Sequence, residues 1–148
     1  MKKTLILMVA SIVLGSLCGK VLYSNYKNTN SVFASKEKVY VLQEGVYTSL
    51  SSLNRNTKDI NPKTIVKKDN QYYVYVGITR DLEKLKKLKK VYNKKGYATY
   101  QKEINVDDAI FLANLDQYDL LLDSAKTSDD VLAIQEVVLS NYEELVKS

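Results

Sequence analysis

Histidine and tryptophan are absent from this sequence of 148 residues, and cysteine and proline occur once each. Without histidine, neither a Ser-His-Asp site nor a thiol–imidazole pair can form, and zinc sites built from His and Cys are excluded. The single Cys18 rules out a disulfide within the chain. No carboxylates are paired in a predicted cleft, as acid–base hydrolysis would require. The sequence therefore predicts a binding protein rather than an enzyme, with no cofactor.

Charge is unevenly distributed along the chain. Residues 1–106 hold 20 basic and 7 acidic residues, a net of +13, whereas residues 107–148 hold 2 basic and 10 acidic residues, a net of −8. This asymmetry indicates either separate structural units or a basic face directed at a polyanion. Packing of the acidic segment against the basic one would explain it equally well.

The N-terminal 23 residues have the pattern of an export segment. Lys2 and Lys3 precede an apolar run over residues 5–18, which reaches membrane-spanning length if the Lys20 ammonium snorkels to the interface. We predict a transmembrane anchor, with a cleaved signal peptide and lipid attachment at Cys18 as alternatives. Residues 24–37 form a polar linker. The expected location is the cell membrane, as a single-pass protein with the bulk of the chain extracytoplasmic.

Two matched segments organise the middle of the chain. Residues 71–79, QYYVYVGIT, alternate as a strand does, and residues 39–47, VYVLQEGVY, repeat the pattern 32 positions earlier. Gly45 and Gly77 occupy matching positions, where each is expected to let the chain turn from a strand into an amphipathic helix.

Read in order, the chain predicts an α+β fold. Strands are expected at 39–45, 64–67, 71–77 and 97–104, and helices at 49–60 and 81–95, with a turn at Asp69-Asn70 and a helix cap at Gly96. The βαββαβ order implies a ferredoxin/RNP-like, four-stranded antiparallel sheet with both helices on one face.

The strand pattern divides the side chains between the two faces of this sheet. Three apolar residues are expected to face the helices: Leu42, Val74 and Val76. Four residues are then expected on the open face: Val41, Gln43, Tyr73 and Tyr75. Aromatic rings beside an amide suit sugars, which present apolar C–H faces and hydrogen-bonding hydroxyls.

Residues 42–46, LQEGV, and 72–77, YYVYVG, resemble the two halves of a SPOR (sporulation-related repeat) domain, over residues 38–106. The resemblance implies a bacterial peptidoglycan-binding module that takes glycan strands stripped of stem peptides, in cell division, sporulation or wall remodelling. It also implies that Gln43 is the family's first-strand glutamine and that Tyr73 and Tyr75 lie on the glycan-facing sheet. Val41, which alternation places on the same face, completes the expected glycan-binding set.

Residues 107–148 predict an acidic helical hairpin with helices at 107–125 and 128–147. Asp107 is expected to cap the first helix, and Thr127 with Asp130 resembles a capping arrangement for the second. Two apolar stripes are expected to pack together: Phe111, Leu115, Tyr118 and Leu122 on one helix, and Val131, Ile134, Val138, Tyr142 and Leu145 on the other. The hairpin could brace the domain, form a self-association contact or recruit a protein partner.

Lysines cover the predicted second helix on the side away from its leucines: Lys84, Lys86, Lys87, Lys89, Lys90, Lys94 and Lys95. The pattern indicates a solvated helix face, with contact to an anionic wall polymer or lipid headgroups as the alternative.

Two further functions are compatible with the sequence. A basic four-stranded sheet with exposed aromatics is also typical of RNA-recognition modules. Export argues against that function, so no nucleic-acid partner is expected. The other is an extracytoplasmic scaffold that acts through the acidic hairpin.

Overall fold

The computed structural model describes residues 36–147, so the predicted anchor and most of the linker lie outside the described residues. The described residues form four strands and four helices, in this order: β1 (Glu37–Tyr47), α1 (Leu50–Thr57), β2 (Thr64–Lys68), β3 (Gln71–Thr79), α2 (Leu82–Lys94), β4 (Tyr100–Val106), α3 (Ala109–Ser124) and α4 (Ser128–Lys147). No helix within this part of the chain is long and apolar enough to cross a membrane.

The four strands form one antiparallel sheet in the order β2-β3-β1-β4. The predicted α+β class and the four-stranded antiparallel sheet are confirmed. β1 and β3 pair from Tyr40 opposite Thr79 to Tyr47 opposite Tyr72, with register shifts on both sides of Gln43. These shifts locally disturb the alternation of side chains between the two faces.

Local sequence signals determine where several elements begin and end. The β2–β3 turn is made by Asp69 and Asn70, both with positive φ (51° and 58°), as expected for a two-residue hairpin. Asp81 caps α2 by accepting hydrogen bonds from two backbone amides, and Gly96 ends it with φ of 84°. The predicted turn and the predicted Gly96 cap are confirmed.

Gly45 and Gly77 lie inside strands, so the expected turns are not at these glycines. Gly45 adjoins one of the register shifts in β1. A side chain at Gly77 would meet Leu88 Cδ1 of α2 at 3.0 Å and Leu42 Cβ at 3.5 Å. Gly77 is therefore needed for the close approach of α2 to the sheet rather than for a change of direction.

Beneath α2 lies the part of the core that the apolar pattern predicted. Leu42, Val74 and Val76 are fully buried, as expected. The buried Tyr92 of α2 donates its hydroxyl to the Val76 carbonyl oxygen at 2.9 Å. α2 is thereby attached to β3 by both apolar contact and a hydrogen bond.

The C-terminal hairpin is present with its predicted stripes in contact. The Phe111 and Tyr142 ring centres lie 5.6 Å apart, and Asn141 Nδ2 donates to the Tyr118 hydroxyl at 3.1 Å. Asp108 rather than Asp107 caps α3, because its side chain accepts from the Phe111 amide at 2.7 Å. Thr127 and Asp130 each accept a hydrogen bond from the other's backbone amide, which confirms that capping arrangement.

The hairpin packs on the basic part of the chain. Arg80 pairs with Asp116 at 2.8 Å, and Lys84 pairs with Asp123 at 3.3 Å. Lys87 donates to the Ala125 carbonyl oxygen at 2.8 Å. Packing of acidic helices against the basic domain is therefore observed, and one apolar core extends through both segments.

Candidate functional site

A cluster of polar and aromatic side chains lies on one face of the sheet, across the three neighbouring strands β3, β1 and β4. Gln43 is paired with Tyr75 of β3 on one side and with Tyr100 of β4 on the other. Directly paired residues share a face, as do residues two apart in a strand, so Tyr73 and Lys102 belong to the same face. We refer to these five residues as the Gln43 cluster.

Lys102 supplies the positive charge of this cluster. Its ammonium lies 4.3 Å from the centre of the Tyr73 ring and 6.0 Å from that of Tyr75. Both distances are within the range of a cation–π attraction. The Tyr73 hydroxyl donates to Gln71 Oε1 at 3.1 Å, which restrains the ring from its other end.

The expectation that the predicted face is open is wrong for two of its four residues. Val41 is fully buried and Tyr75 is only 4% exposed, whereas Gln43 and Tyr73 are partly buried. Tyr142 of α4 covers Tyr75, with ring centres 6.2 Å apart, and Phe111 packs on Tyr142. Burial and the neighbouring Tyr73 raise the pKa of the Tyr75 hydroxyl. Val41 and Tyr75 are therefore part of the core on this face and are not accessible to a ligand.

The Gln43 amide oxygen is buried and has no hydrogen-bond partner among residues 36–147. A buried acceptor without a partner costs about 1–3 kcal/mol. Gln43 lies between two register shifts of the β1–β3 pair. A ligand that brings a donor, or lets the amide turn, would remove that cost.

Tyr100 and Lys102 are members of the cluster that the sequence analysis missed. Tyr100 is 63% exposed, the most exposed large aromatic side chain in the described part of the chain. The pairing of Gln43 with Tyr100 brings both residues to the face. Alternation within the predicted last strand places Tyr100 and Lys102 on the same face of that strand. It does not define the register between β4 and β1, so it does not show that these residues lie beside Gln43.

A second polar cluster surrounds Asp119 at the junction of the hairpin with the sheet. The Asp119 carboxylate accepts from the Thr79 hydroxyl at 2.6 Å and from the Arg80 amide at 2.9 Å. Burial raises the pKa of Asp119 to about 6, although these two hydrogen bonds oppose the shift. Next to it is a shallow depression of about 430 Å³, lined by Arg80, Asp81, Lys84, Asp116, Asp119 and Leu120.

The charged side chains that line this depression pair with one another or with neighbouring elements of the fold. Arg80 pairs with Glu37 of β1 as well as with Asp116, and Lys84 pairs with Asp81. Within the described residues, no group of three or more acidic or Cys side chains is arranged to hold a metal ion. The Gln43 cluster is therefore the stronger candidate for ligand binding, and the Asp119 cluster joins the hairpin to the sheet.

The fold and the site place the chain among α+β proteins with a four-stranded antiparallel sheet and a polar, aromatic cluster on one sheet face. No family model matches the chain, and no curated protein or solved structure is similar to it at a significant level. The resemblance to SPOR domains consequently depends on the matched segments of the sequence.

Proposed function

We propose that this protein is a membrane-anchored, extracytoplasmic binding protein whose SPOR-like sheet binds peptidoglycan glycan strands during wall remodelling, division or sporulation. We take the β1-α1-β2-β3-α2-β4 order as the ferredoxin-like arrangement of that family, with α1 and α2 on one face. The observation that carries the proposal is the Gln43 amide oxygen, which has no partner among the described residues, beside exposed Tyr100 and the Lys102–Tyr73 pair.

Each member of the cluster suits a different feature of an amino-sugar strand. The Tyr100 ring can stack on the apolar C–H face of a sugar, as exposed aromatics do in amphipathic contacts. On turning towards the open face, the Gln43 amide, whose oxygen is otherwise buried, would offer a donor and an acceptor to acetamido and hydroxyl groups. Amidases that remove stem peptides leave a carboxylate on the lactyl group, and the Lys102 ammonium can pair with it. The cluster thus favours denuded over peptide-bearing glycan.

The burial of Val41 and Tyr75 restricts the proposed glycan contact to one end of the sheet. Tyr75 lies beneath Tyr142 and Val41 lies in the core, so neither is proposed to touch the ligand. The partly accessible Gln43 and Tyr73 remain from the sequence-derived set, and Tyr100 and Lys102 extend it towards β4. A short segment of glycan would cross the strands at this point.

Co-sedimentation of the full chain with peptidoglycan sacculi, before and after amidase treatment, tests this proposal. We expect amidase to increase pelleting, and Gln43→Ala, Tyr100→Ala and Lys102→Gln each to reduce it. Matched controls are Tyr72→Ala and Lys67→Gln. Tyr72 adjoins Tyr73 but points to the opposite face, and the Lys67 ammonium lies 5.6 Å from the Tyr72 ring centre.

The controls and competing ligands separate the alternative functions. Equal loss of pelleting in Tyr72→Ala and Tyr100→Ala would reject the Gln43 cluster as the binding surface. Salt-sensitive binding of single-stranded RNA, abolished by Tyr100→Ala, would instead favour a nucleic-acid-binding module. Absence of binding to sacculi in every sample, with native circular dichroism, would shift the assignment to a scaffold that works through the hairpin.

A further inference from the structure

The C-terminal ends of α1 and α2 lie next to each other. The Tyr97 hydroxyl, just beyond α2, donates to the Asp59 carbonyl oxygen at 3.1 Å, and the Tyr92 hydroxyl donates to the Pro62 carbonyl oxygen at 3.3 Å. Both acceptors belong to the segment that follows α1. The exposed side chains at the two helix ends therefore form one surface, which we call the helix-end surface.

This surface is strongly basic. Its exposed cations are Arg55, Lys58, Lys89, Lys90, Lys94 and Lys95. Asp59 is the one acidic residue in the same stretches, residues 55–59 and 89–95. A cation in the last turn of a helix is favoured by the helix dipole, but one or two residues per helix satisfy that preference. Six cations exceed it.

Within the part of the chain that the structure describes, the lysines in the first half of α2 have hydrogen-bonding or ion-pair partners, unlike the cations of the helix-end surface. Lys84 pairs with Asp81 and Asp123, and Lys86 pairs with Glu83 at 2.6 Å. Lys87 donates to carbonyl oxygens of the hairpin. Within residues 36–147, none of the six cations of the helix-end surface makes an ion pair.

The helix-end surface is far from the point where the chain reaches the sheet. β1 begins at Glu37, which pairs with Val106. Only a short connection separates the end of α2 from Tyr100, which pairs with Gln43. The strand from Glu37 to Gln43 covers about 20 Å. The surface is therefore at the same end of the sheet as the Gln43 cluster, and at the opposite end from the preceding linker.

We propose that the helix-end surface binds a linear phosphodiester polymer of polyols, of the kind found in bacterial walls. Unpaired exposed cations attract a polyanion, and release of counterions drives such binding. Single-stranded nucleic acid is bound best where exposed rings lie among the cations, but in this surface Tyr92 is buried and Tyr97 is partly buried with its hydroxyl bonded to the Asp59 carbonyl oxygen. The exposed Tyr100 belongs to the Gln43 cluster. Anionic lipid would be expected near the linker, at the other end.

The strength and salt dependence of binding follow from the number of phosphates neutralised. With four contacts and single-strand behaviour, a change from 50 to 200 mM salt should weaken binding about fiftyfold. The choice of a wall polymer rests on the proposed function, whereas the helix-end surface shares no residue with the Gln43 cluster, so Gln43→Ala should leave polymer binding unchanged.

Fluorescence anisotropy of labelled, synthetic poly(glycerol phosphate) with the full chain in neutral detergent micelles tests the proposal. We expect saturable, salt-sensitive binding that the double variant Lys90→Gln/Lys94→Gln weakens on the order of tenfold. The matched control is Lys36→Gln/Lys38→Gln, which removes two exposed lysines beside the start of β1, at the opposite end of the sheet, and should bind as the native chain does. Circular dichroism verifies that both double variants are folded.

Three results would overturn the proposal. The first is no binding, or equal weakening by the two double variants, which would show that only net charge matters. The second is displacement of the polymer by poly(U) RNA at equal or lower phosphate concentration, which would identify nucleic acid as the better ligand. The third is displacement by phosphatidylglycerol vesicles at lower phosphate concentration than the unlabelled polymer requires, which would identify a lipid surface.

Discussion

Gln135 of α4 accepts a hydrogen bond through Oε1 from the backbone amide of Ile78 in β3, at 2.8 Å. β2 pairs with β3 only as far as Thr64 opposite Tyr75, so Ile78 lies beyond the end of its neighbouring strand. The fully buried Gln135 side chain takes the place of the absent strand residue. The hairpin therefore completes the edge of the sheet, in addition to covering apolar surface.

Gln135→Leu should destabilise the protein by about 1 kcal/mol, because the Ile78 amide would be buried without an acceptor. The loss is at the low end of the usual range because the substitution also removes the buried Gln135 Nε2, which has no partner among residues 36–147. Chemical denaturation followed by circular dichroism measures this free energy of unfolding. Glu136→Leu, at the exposed neighbouring position, is the matched control and should change it little. Equal effects from the two substitutions would show that the Gln135–Ile78 bond does not hold the hairpin.

Asp119 should make stability depend on pH. Burial raises its pKa to about 6 in the folded protein from an ordinary value of 3.8, so the folded state retains the proton to higher pH. The stabilisation from the protonated carboxyl is full below pH of about 4 and is lost as the pH rises through about 6. Since Asp119 is only 6% exposed, the loss amounts to up to about 3 kcal/mol.

Asp119→Asn isolates this contribution, because the amide keeps a similar shape and cannot ionise. We expect the free energy of unfolding of the variant, relative to the native chain, to increase between about pH 4 and pH 7. Asp116→Asn, at an exposed partner of Arg80, should give no comparable change. If the relative stability of the Asp119→Asn variant is the same at both pH values, the raised pKa is contradicted.

Gly77→Ala should destabilise the protein by about 1–3 kcal/mol, since the new methyl group would lie 3.0 Å from Leu88 Cδ1 in a fully packed layer. Gly45→Ala is the comparison within the repeat. Its methyl group would meet the ring of Tyr47 at 3.1–3.3 Å, a partly buried side chain that can move aside. Thermal unfolding should therefore show a larger loss for Gly77→Ala, and a reversed order would contradict the assigned role of Gly77.

Removal of residues 107–148 should leave the sheet unstable rather than merely unable to recruit a partner. The truncation exposes Tyr75 and leaves the Ile78 and Arg80 amides without their acceptors. We expect loss of a cooperative unfolding transition and of near-ultraviolet circular dichroism. A truncated chain that unfolds cooperatively, with stability close to that of the native chain, would show that the hairpin is an independent appendage.

Structural features that depend on a few neighbouring residues could be predicted from the sequence. The Asp69-Asn70 turn, the Asp81 and Gly96 caps and the Thr127–Asp130 arrangement each depend on neighbours within four positions. The apolar stripes predicted the two hairpin helices because helical spacing alone determines which residues share a face.

Contacts between distant residues could not be predicted in the same way. The burial of Tyr75 depends on Tyr142, 67 positions later, and alternation in β3 does not reveal which element covers each face. Tyr100 joined the Gln43 cluster through the β1–β4 register, which no local pattern specifies. The predicted open face therefore wrongly included Tyr75 of β3 and omitted Tyr100 of β4.

The short second strand has a consequence for synthesis of the chain. β3 is made early, but the side chains that satisfy its edge come from positions 119 and 135. Until those residues have emerged, a nascent chain presents unpaired amides and an uncovered Tyr75 to any other strand it meets. The edge of the sheet is therefore protected from pairing with strands of other chains only after residues up to position 135 have been synthesised.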